Sequence, residues 1–280
     1  MSFIGIDLGG TKISGGLVSN SKLVKTAYEK INSKGNEKEV LAQITQLIDE
    51  LVDKKVRGIG IGVPAIVDVD KGIVFETVNI PSWKNVPLKR ILERKYGVPV
   101  FVNNDANCFA LGEKYFGKGK KYQHIVAITL GTGVGAGIII NGKLYAGHNC
   151  GAGELGEAPF LDKRIESYCS GKYFLKQHGI SGEELYQKAL QRDPNAIDLF
   201  KIFGHNLGKA LAMVVHTIDP EAIILGGSIS KAYRFFEKSM KQSLQESTYQ
   251  RSYSRLKIYV SKEANIAVIG AASLCYDSLK

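Results

Sequence analysis

A carboxylate lies within an apolar stretch near the start of the sequence, directly before a glycine turn. Residues 3–18 are FIGIDLGGTKISGGLV, in which Asp7 interrupts an apolar, β-branched segment that predicts a buried strand. A buried carboxylate requires a metal ion or a proton donor to offset the cost of burying its charge. The turn residues Gly9, Gly10, Thr11 and Lys12 offer backbone N–H groups, a hydroxyl and a positive charge to an anion. A second strand follows, so we predict a hairpin whose turn either binds an anion or carries a surface lysine.

Two later segments repeat this pattern of a strand and a glycine turn. Residues 125–140, IVAITLGTGVGAGIII, place Gly131-Thr132-Gly133 between two predicted strands. Residues 222–230 predict a strand that ends at Gly226-Gly227, followed by a helix. A dinucleotide fingerprint should open a helix, whereas a strand follows the turn at 131–133, and the sequence has no GxxxxGK[ST] phosphate loop. Two glycine hairpins that face one anion indicate a phosphate clamp between two domains.

A run of amides surrounds a second candidate carboxylate. The run Asn103-Asn104-Asp105-Ala106-Asn107 follows a strand predicted at residues 98–102 and overlaps the start of a helix predicted at 106–116. Open α/β sheets place their chemistry at such strand ends. Asp105 is therefore either a catalytic group or a helix cap, because Asn and Asp are also effective N-cap residues.

Three further carboxylates follow the second glycine hairpin. Glu154 and Glu157 end a loop of small residues at 147–157, and Glu166 precedes the segment SYCSG. Carboxylates accept pairs of hydrogen bonds from neighbouring hydroxyls, which is how proteins commonly bind sugars. Each of the three is therefore either a sugar ligand or a solvated charge.

The remaining patterns predict an α/β scaffold that positions these groups. Residues 37–54 carry apolar side chains at helical spacing, and residues 56–63 predict a buried strand that ends at Pro64. A helix predicted at 87–96 has proline in its first turn and ends at Gly97. Further strands are predicted at 22–31 and 256–260, and further helices at 181–191, 195–217, 229–245 and 266–279.

The composition is typical of a globular protein with two domains of ordinary size. The chain has 280 residues, 44% of them hydrophobic, and a formal net charge of +10. It contains no apolar run approaching ~20 residues and no basic segment before the first strand, so we expect a cytoplasmic protein without a membrane span. No helix-turn-helix pattern precedes the first strand, so we assign the charge to a solvated surface that attracts anionic ligands rather than nucleic acid.

Four motifs together resemble the ROK family of sugar kinases and sugar-responsive repressors. They are DLGGTK at 7–12, NDAN at 104–107, LGTGVGAG at 130–137 and LGG at 225–227, and they occur in the family's order and spacing. The resemblance implies an α/β, two-domain, actin-like or hexokinase-like ATPase fold (ribonuclease H-like), with ATP and a sugar in the cleft between the domains. We expect an N-terminal domain of residues 1–116 plus 265–280 and a C-terminal domain of residues 117–264.

The resemblance also implies how the sugar is held and activated. Asp105 would be the general base that takes the proton from the sugar 6-hydroxyl as this attacks the γ-phosphate, and Asn104 would orient the sugar. The loop at 78–83 would lie at the sugar pocket with Asn79 near the sugar. The alternative for this loop is a packing role for Trp83, the only tryptophan of the chain.

The sugar pocket of this chain departs from the family pattern. Many members carry an ExGH motif and a cysteine-rich zinc loop, whereas the corresponding segment here is Glu154-Leu155-Gly156-Glu157, and residues 158–166 contain no cysteine. Glu154 matches the sugar ligand of the family, Glu157 replaces its histidine, and Glu166 matches the glutamate that follows the zinc loop. The resemblance therefore implies a sugar site with altered hydrogen bonding, and we predict that it lacks structural zinc.

ATP and Mg²⁺ are the cofactors that the resemblance implies. Asp7 would hold Mg²⁺ through a water molecule, and Lys12 would be either a further phosphate ligand or an exposed lysine. The backbone N–H and hydroxyl groups that hold phosphate oxygens would belong to Gly9, Gly10, Thr11, Gly131, Thr132 and Gly133. Gly226 and Gly227 would let the backbone approach the adenosine.

The leading hypothesis is an ATP-dependent kinase that phosphorylates the 6-hydroxyl of a hexose, with glucose favoured. The alternatives are N-acetylmannosamine, another hexose or a glycoside as the substrate, or a non-catalytic sugar-binding regulator. The presence of Asp7, Asp105 and both glycine hairpins favours the kinase. The expected partners are a small sugar and ATP, without nucleic acid or membrane, and the family default is a homodimer.

Overall fold

The computed structural model describes residues 1–20, 22–77 and 79–278. Its strands are β1 (Ser2–Leu8), β2 (Lys12–Ser19), β3 (Lys22–Lys30), β4 (Val56–Val63), β5 (Ala65–Asp68), β6 (Ile73–Thr77), β7 (Lys84–Val86), β8 (Val100–Asn104), β9 (Ile125–Leu130), β10 (Val134–Ile140), β11 (Lys143–Tyr145), β12 (Pro159–Phe160), β13 (Lys163–Arg164), β14 (Ala222–Gly226) and β15 (Lys257–Val260). Its α-helices are α1 (Glu37–Leu51), α2 (Leu88–Tyr96), α3 (Asp105–Tyr115), α4 (Glu166–Cys169), α5 (Gly171–His178), α6 (Gly182–Leu190), α7 (Pro194–Ile218), α8 (Tyr233–Glu246), α9 (Gln250–Arg255) and α10 (Ile266–Ser278). Short 3₁₀ turns occupy Leu155–Glu157 and Ser228–Ala232.

Two five-stranded sheets have the same topology. The first has the order β3-β2-β1-β4-β8, and the second has the order β11-β10-β9-β14-β15. In each sheet the central strand, β1 or β9, pairs antiparallel with the next strand along the chain and parallel with a later one. The two predicted glycine hairpins, with turns at 9–12 and 131–133, therefore each join the central strand of a sheet to its antiparallel neighbour.

Helices cover both sheets and fill the space between them. The outer face of the first sheet packs against α1, where Val40 and Ile44 contribute to a core shared with Ile4 and Ile6 of β1. The outer face of the second sheet packs against α7 and α8. Helix α3 contacts strands of both sheets, and α10 packs on α3 and on the first sheet. Helix α3 therefore carries Asp105, its first residue, to a position between the sheets.

Glycines allow this central layer to pack closely. A Cβ atom at Gly270 of α10 would overlap the carbonyl oxygen of Cys108 in α3, and one at Gly60 of β4 would overlap the carbonyl oxygen of Ala271. Backbone approaches of this kind leave no room for a side chain. The small residues near the end of the sequence thus bring α10 directly onto α3 and the first sheet.

The predicted α/β elements are confirmed, with differences at their boundaries. The strand predicted at 98–102 lies at 100–104, because its ladder with β4 continues to the pair Val63 and Asn104. The helix predicted at 37–54 ends at Leu51, and the one predicted at 229–245 is a 3₁₀ turn followed by α8. The predicted end of the last helix, residue 279, lies outside the described residues.

A small sheet that packs against the core of the first sheet was not predicted. Strands β5, β6 and β7 form a three-stranded antiparallel sheet, and residues 69–72 connect the first two of them. Trp83 is 1% exposed and belongs to the core of the first sheet. Within the described part of the chain, no helix combines the length and the apolar character needed to cross a membrane.

Candidate active site

The first glycine turn closes the β1–β2 hairpin beside a carboxylate. The N–H of Gly9 donates to the carbonyl oxygen of Lys12 at 3.0 Å, and Asp7 lies in the ladder next to Ser14. Burial raises the pKa of Asp7, and the positive charge of Lys12 partly opposes this effect. A buried carboxylate with one opposing lysine is a suitable group to attract a further cation.

Asn79 lies against this first turn. A Cβ atom at Gly10 would be 2.7 Å from Cγ of Asn79, so the asparagine occupies the space that a larger turn residue would fill. Residue 78, at the start of the predicted sugar loop, lies outside the described residues. The tryptophan of this loop therefore has the packing role considered for it, and its asparagine borders the first turn. The contact of Asn79 with a sugar stays a prediction.

Asp105 occupies the junction between β8 and α3, and Asn104 is the residue that caps the helix. The side-chain oxygen of Asn104 accepts from the N–H of Ala106 at 2.9 Å, and its amide donates to the carbonyl oxygen of Ala65 at 3.3 Å. Asp105 accepts from the same N–H at 2.8 Å, which leaves its second carboxylate oxygen for another ligand.

The pKa of Asp105 is raised to about 7. Burial is the largest cause, followed by the negative charges of Asp7 and, more weakly, Glu154, while the hydrogen bond from Ala106 opposes the shift. Asp7, Asp105 and Glu154 are therefore close enough for their charges to interact, and they form one site. A carboxylate with a pKa near neutrality is suited to general base catalysis.

A buried hydrogen-bond network next to Asp105 was not predicted from the sequence. The side-chain oxygen of Asn103 accepts from the N–H of Asn104 at 2.8 Å, from the amide of Asn107 at 2.9 Å and from the thiol of Cys150 at 3.3 Å. Cys150 belongs to the loop that carries Glu154, so this network ties the loop to the strand end. No sequence pattern signals this contact, because its partners are far apart in the chain.

The three carboxylates of the predicted sugar site differ in their surroundings. The pKa of Glu154 is raised by partial burial and by the charges of Glu157 and Glu166. Glu157 forms an exposed ion pair with Arg164. Glu166 accepts from the N–H of Val134 at 3.3 Å and from the ammonium group of Lys172 at 2.8 Å. All three therefore belong to one acidic cluster, in which Glu166 also contacts the second glycine turn.

A cavity of about 240 Å³ adjoins the second glycine turn. The N–H of Gly131 donates to the carbonyl oxygen of Gly133 at 3.0 Å, which closes the turn. Twelve residues line the cavity: Gly131, Thr132, Gly171, Lys172, Leu175, Ser181, Gly182, Glu183, Tyr186, Ser228, Ile229 and Ala232. Of these, only the turn residues were predicted as ligands.

Gly226 and Gly227 lie beside this cavity and pack against protein atoms. A Cβ atom at Gly226 would overlap the ring of Phe109, and one at Gly227 would overlap the carbonyl oxygen of Leu130. Gly227 also has a φ of +83°, which favours glycine. The pair therefore brings the following segment, which includes Ser228 and Ile229, to the cavity wall.

A hairpin occupies the segment where many relatives were expected to carry a zinc loop. Strands β12 and β13 pair in this segment, and Phe160 packs edge-on against Tyr168. Cys169 is buried in the core of the second sheet, and burial raises the pKa of its thiol well above the ordinary value. Among the described residues, no group of three or more His, Cys, Asp or Glu side chains is arranged to hold a metal ion.

Comparisons with known proteins identify the family of this chain. A sequence model of the ROK family matches residues 3–278. The chain is 31% identical to the glucokinase of Thermotoga maritima over 98% of this chain and 97% of that one. It is also 31% identical to the xylose repressor of Bacillus subtilis, over 98% of this chain and 77% of the repressor.

A solved structure extends the similarity to the whole fold. The structure of a ROK family glucokinase from Streptomyces griseus, in complex with glucose and AMPPNP, aligns with a TM-score of 0.83 and 29% identity. The alignment covers 98% of this chain and 99% of the glucokinase. The predicted two-domain, actin-like and hexokinase-like fold is therefore confirmed, and the chain belongs to the ROK family.

Proposed function

We propose that this protein transfers the γ-phosphate of ATP to the 6-hydroxyl of a hexose, with glucose as the favoured substrate. The chain is a phosphotransferase that acts on a sugar hydroxyl, as its full-length similarity to ROK kinases supports. The observation that carries the proposed reaction is the position of Asp105, a buried carboxylate with a pKa raised to about 7, beside Asp7 and Glu154.

Asp105 acts as the general base in the proposed mechanism. Its carboxylate takes the proton of the sugar hydroxyl, so that the oxygen attacks the γ-phosphorus while the bond to the β-phosphate oxygen breaks. The hydrogen bond from Ala106 to one oxygen of Asp105 holds the carboxylate, and we assign the proton to its other oxygen. Asn104 is fixed by its own contacts with Ala106 and Ala65, and its amide has a second hydrogen that can donate to a sugar hydroxyl.

The two glycine turns hold the phosphates. Gly10 supplies a backbone N–H group from the first sheet with the hydroxyl of Thr11, and Gly133 supplies one from the second with Thr132. The N–H groups of Gly9 and Gly131, predicted as further donors, instead close the turns by hydrogen bonds to the carbonyl oxygens of Lys12 and Gly133. Lys12 completes the first turn, and Asp7 beside it would hold Mg²⁺ through a water molecule. The raised pKa of Asp7 fits this role, because a buried carboxylate gains from a nearby cation. Bound Mg²⁺ supplies positive charge that neutralises the phosphates.

The acidic cluster of Glu154, Glu157 and Glu166 binds the sugar hydroxyls, with Asn79 beside the first turn. The glucokinase of Thermotoga maritima and the glucose complex from Streptomyces griseus support glucose as the first substrate to test. Glu157 stands where the family pattern has histidine, so N-acetylmannosamine, other hexoses and glycosides remain in the set of substrates to be compared.

A sugar-responsive regulator is the second candidate function. It is favoured by the 31% identity to the xylose repressor of Bacillus subtilis, a longer protein of which this chain covers 77%. The carboxylates around Asp105 favour the kinase, because binding a sugar alone requires no group with a pKa near 7.

The test measures ADP release by the purified protein with Mg-ATP and a panel of hexoses. We expect turnover on one hexose, and a loss of ~10² or more in Asp105→Asn, which keeps the size of the side chain but removes the base. Asp198→Asn, in an exposed ion pair on α7, is the matched control and should retain the wild-type rate. Equal rates in the wild type and Asp105→Asn would overturn the assignment of the base.

The absence of turnover on every sugar, with nucleotide and sugar still bound, would favour the regulator. We further propose that the protein acts in the cytoplasm, where its nucleotide substrate is available, and as a homodimer, which sedimentation analysis would test.

A further inference from the structure

Lys172 lies between the predicted sugar ligands and the cavity at the second glycine turn. Its ammonium group donates to one carboxylate oxygen of Glu166 at 2.8 Å. The same lysine lines the 240 Å³ cavity together with Gly131 and Thr132. The side chain of Glu166 is 14% exposed and that of Lys172 is 39% exposed, so the lysine reaches from a largely buried carboxylate to open space.

The backbone around this ion pair is fixed to the turn. The N–H of Gly171 donates to the carbonyl oxygen of Gly131 at 2.7 Å. The hydroxyl of Ser170 donates to the carbonyl oxygen of Glu166 at 2.7 Å and accepts from the N–H of Lys172 at 3.2 Å. The position of Lys172 relative to the turn is therefore set by hydrogen bonds on both sides.

Glu166 makes its second contact with the turn itself. Its other carboxylate oxygen accepts from the N–H of Val134 at 3.3 Å, and a Cβ atom at Gly133 would overlap this oxygen. One carboxylate thus touches both the turn and the lysine. A change in the position of Glu166 must therefore alter its contacts with both the turn and Lys172.

A cation at this place is suited to an anionic ligand in the cavity. Lys172 is in the first turn of α5, an eight-residue helix whose N-terminus also carries partial positive charge. An ammonium group has three donors and a flexible stem, so it can donate to a carboxylate oxygen and to a phosphate oxygen at the same time.

We propose that Lys172 is a positioning residue that couples the nucleotide site to the sugar site. It binds a phosphate oxygen of the nucleotide while it remains hydrogen-bonded to Glu166, and it thereby fixes Glu166 for the sugar hydroxyl. Binding of the nucleotide and the sugar is then cooperative, and the coupling is the same in both directions. This inference rests on the proposed kinase function.

The test compares Lys172→Met with the wild type by calorimetry. Methionine keeps much of the apolar stem and removes the charge. We expect the Kd for AMPPNP to rise about tenfold, as for the loss of a hydrogen bond to a charged group. We also expect the tightening of AMPPNP binding by the hexose that supports turnover to disappear. Lys172→Arg should restore part of the coupling because it retains a cation.

Lys176→Met, one helical turn further along α5, is the matched control. Lys176 is exposed, and its replacement removes one positive charge from the same helix. The Kd values for AMPPNP and for the hexose, and the coupling between them, should therefore stay at wild-type levels. A melting temperature equal to that of the wild type would show that Lys172→Met is folded.

The outcomes separate the inference from the proposed function. A wild-type protein that phosphorylates a hexose, together with a Lys172→Met variant that retains the AMPPNP affinity and the coupling, would overturn the inference alone. Loss of hexose affinity in Lys172→Met without nucleotide, with an unchanged Kd for AMPPNP, would also overturn it, because Lys172 would then act only on Glu166. A wild-type protein that binds no AMPPNP would overturn both.

Discussion

The two five-stranded sheets share one strand order, yet they carry different chemistry at the ends of their strands. In the first sheet Asp7 stands two residues before Gly9, and β8 leads into Asp105. In the second sheet the corresponding position before Gly131 is Thr129, whose hydroxyl donates to the carbonyl oxygen of Gly135 at 3.3 Å. The second sheet therefore repeats the backbone of the hairpin without its carboxylate.

Because of this difference, the two sheets contribute different groups to the site although their topology is the same. In the proposed function both turns offer backbone N–H groups to an anion, but among the described residues only the first sheet adds charged groups at these strand ends. The second sheet contributes the cavity and the loop with Glu154, whose charge helps to raise the pKa of Asp105. The pKa of the proposed base is thus raised by Asp7 from the first sheet and by Glu154 from the loop after β11.

Among the changes that compare the two hairpins, the largest effect is expected from removing the carboxylate that distinguishes them. Asp7→Asn should lower the rate of ADP release and raise the Mg²⁺ concentration for half-maximal rate, each by ~10–100-fold, as for loss of an indirect metal ligand. Thr129→Val, at the matching position of the second hairpin, should keep the wild-type rate and Mg²⁺ dependence. Equal losses in both variants would remove the distinction between the hairpins.

The pH profile tests how the two regions act together on Asp105. Since the base works as the carboxylate and its pKa is raised to about 7, kcat/KM should fall about tenfold per pH unit below that value. Glu154→Gln removes one of the charges that raise this pKa, so the acidic limb should move to lower pH. An unchanged limb in this variant would show that Glu154 does not influence the base.

The same raised pKa has a consequence for stability. The folded state retains a proton on Asp105 at pH values where the unfolded carboxyl has lost it, so stability from this group falls as pH rises from about 4 towards 7. Asp105→Asn removes the cost of burying the charge. Its gain in melting temperature should therefore be greater at pH 8 than at pH 5, and a pH-independent difference would contradict this account.

Sequence patterns predicted every strand of the two five-stranded sheets except β11, because the responsible signals are local. Apolar strands, glycine turns and the amide run before Asp105 each lie within a few residues. The common strand order was not predicted, because the later strands β4 and β14 share no visible pattern beyond apolar character. The pairing of Glu166 with Lys172, and of Cys150 with Asn103, depends on the path of the chain and could not be predicted.

A smaller effect is expected from the packing of each sheet on the central helices. In the first sheet, a Cβ at Gly60 would overlap the backbone of Ala271, which cannot move without displacing α10. In the second sheet, a Cβ at Gly135 would be 3.0 Å from side-chain atoms of Ala106 and Thr129. Gly60→Ala should therefore lower the free energy of unfolding by roughly 1–3 kcal/mol, and Gly135→Ala by less.

Urea denaturation of both glycine variants would measure this difference. A larger loss in Gly135→Ala would mean that the second sheet, not the first, is the one packed more tightly on the central layer.

The smallest effect is expected for the exposed ion pair between Glu157 and Arg164, beside the β12–β13 hairpin. The side chains of Glu157 and Arg164 are 56% and 50% exposed, and water and salt screen such a pair. Arg164→Met should therefore change the free energy of unfolding by less than ~1 kcal/mol, as measured by urea denaturation at low and high salt. The variant should, in contrast, change the KM for the sugar, because an unpaired Glu157 presents its carboxylate differently to the hydroxyls. A large, salt-independent loss of stability with an unchanged sugar KM would instead mean that the pair holds the β12–β13 hairpin together and has no part in sugar binding.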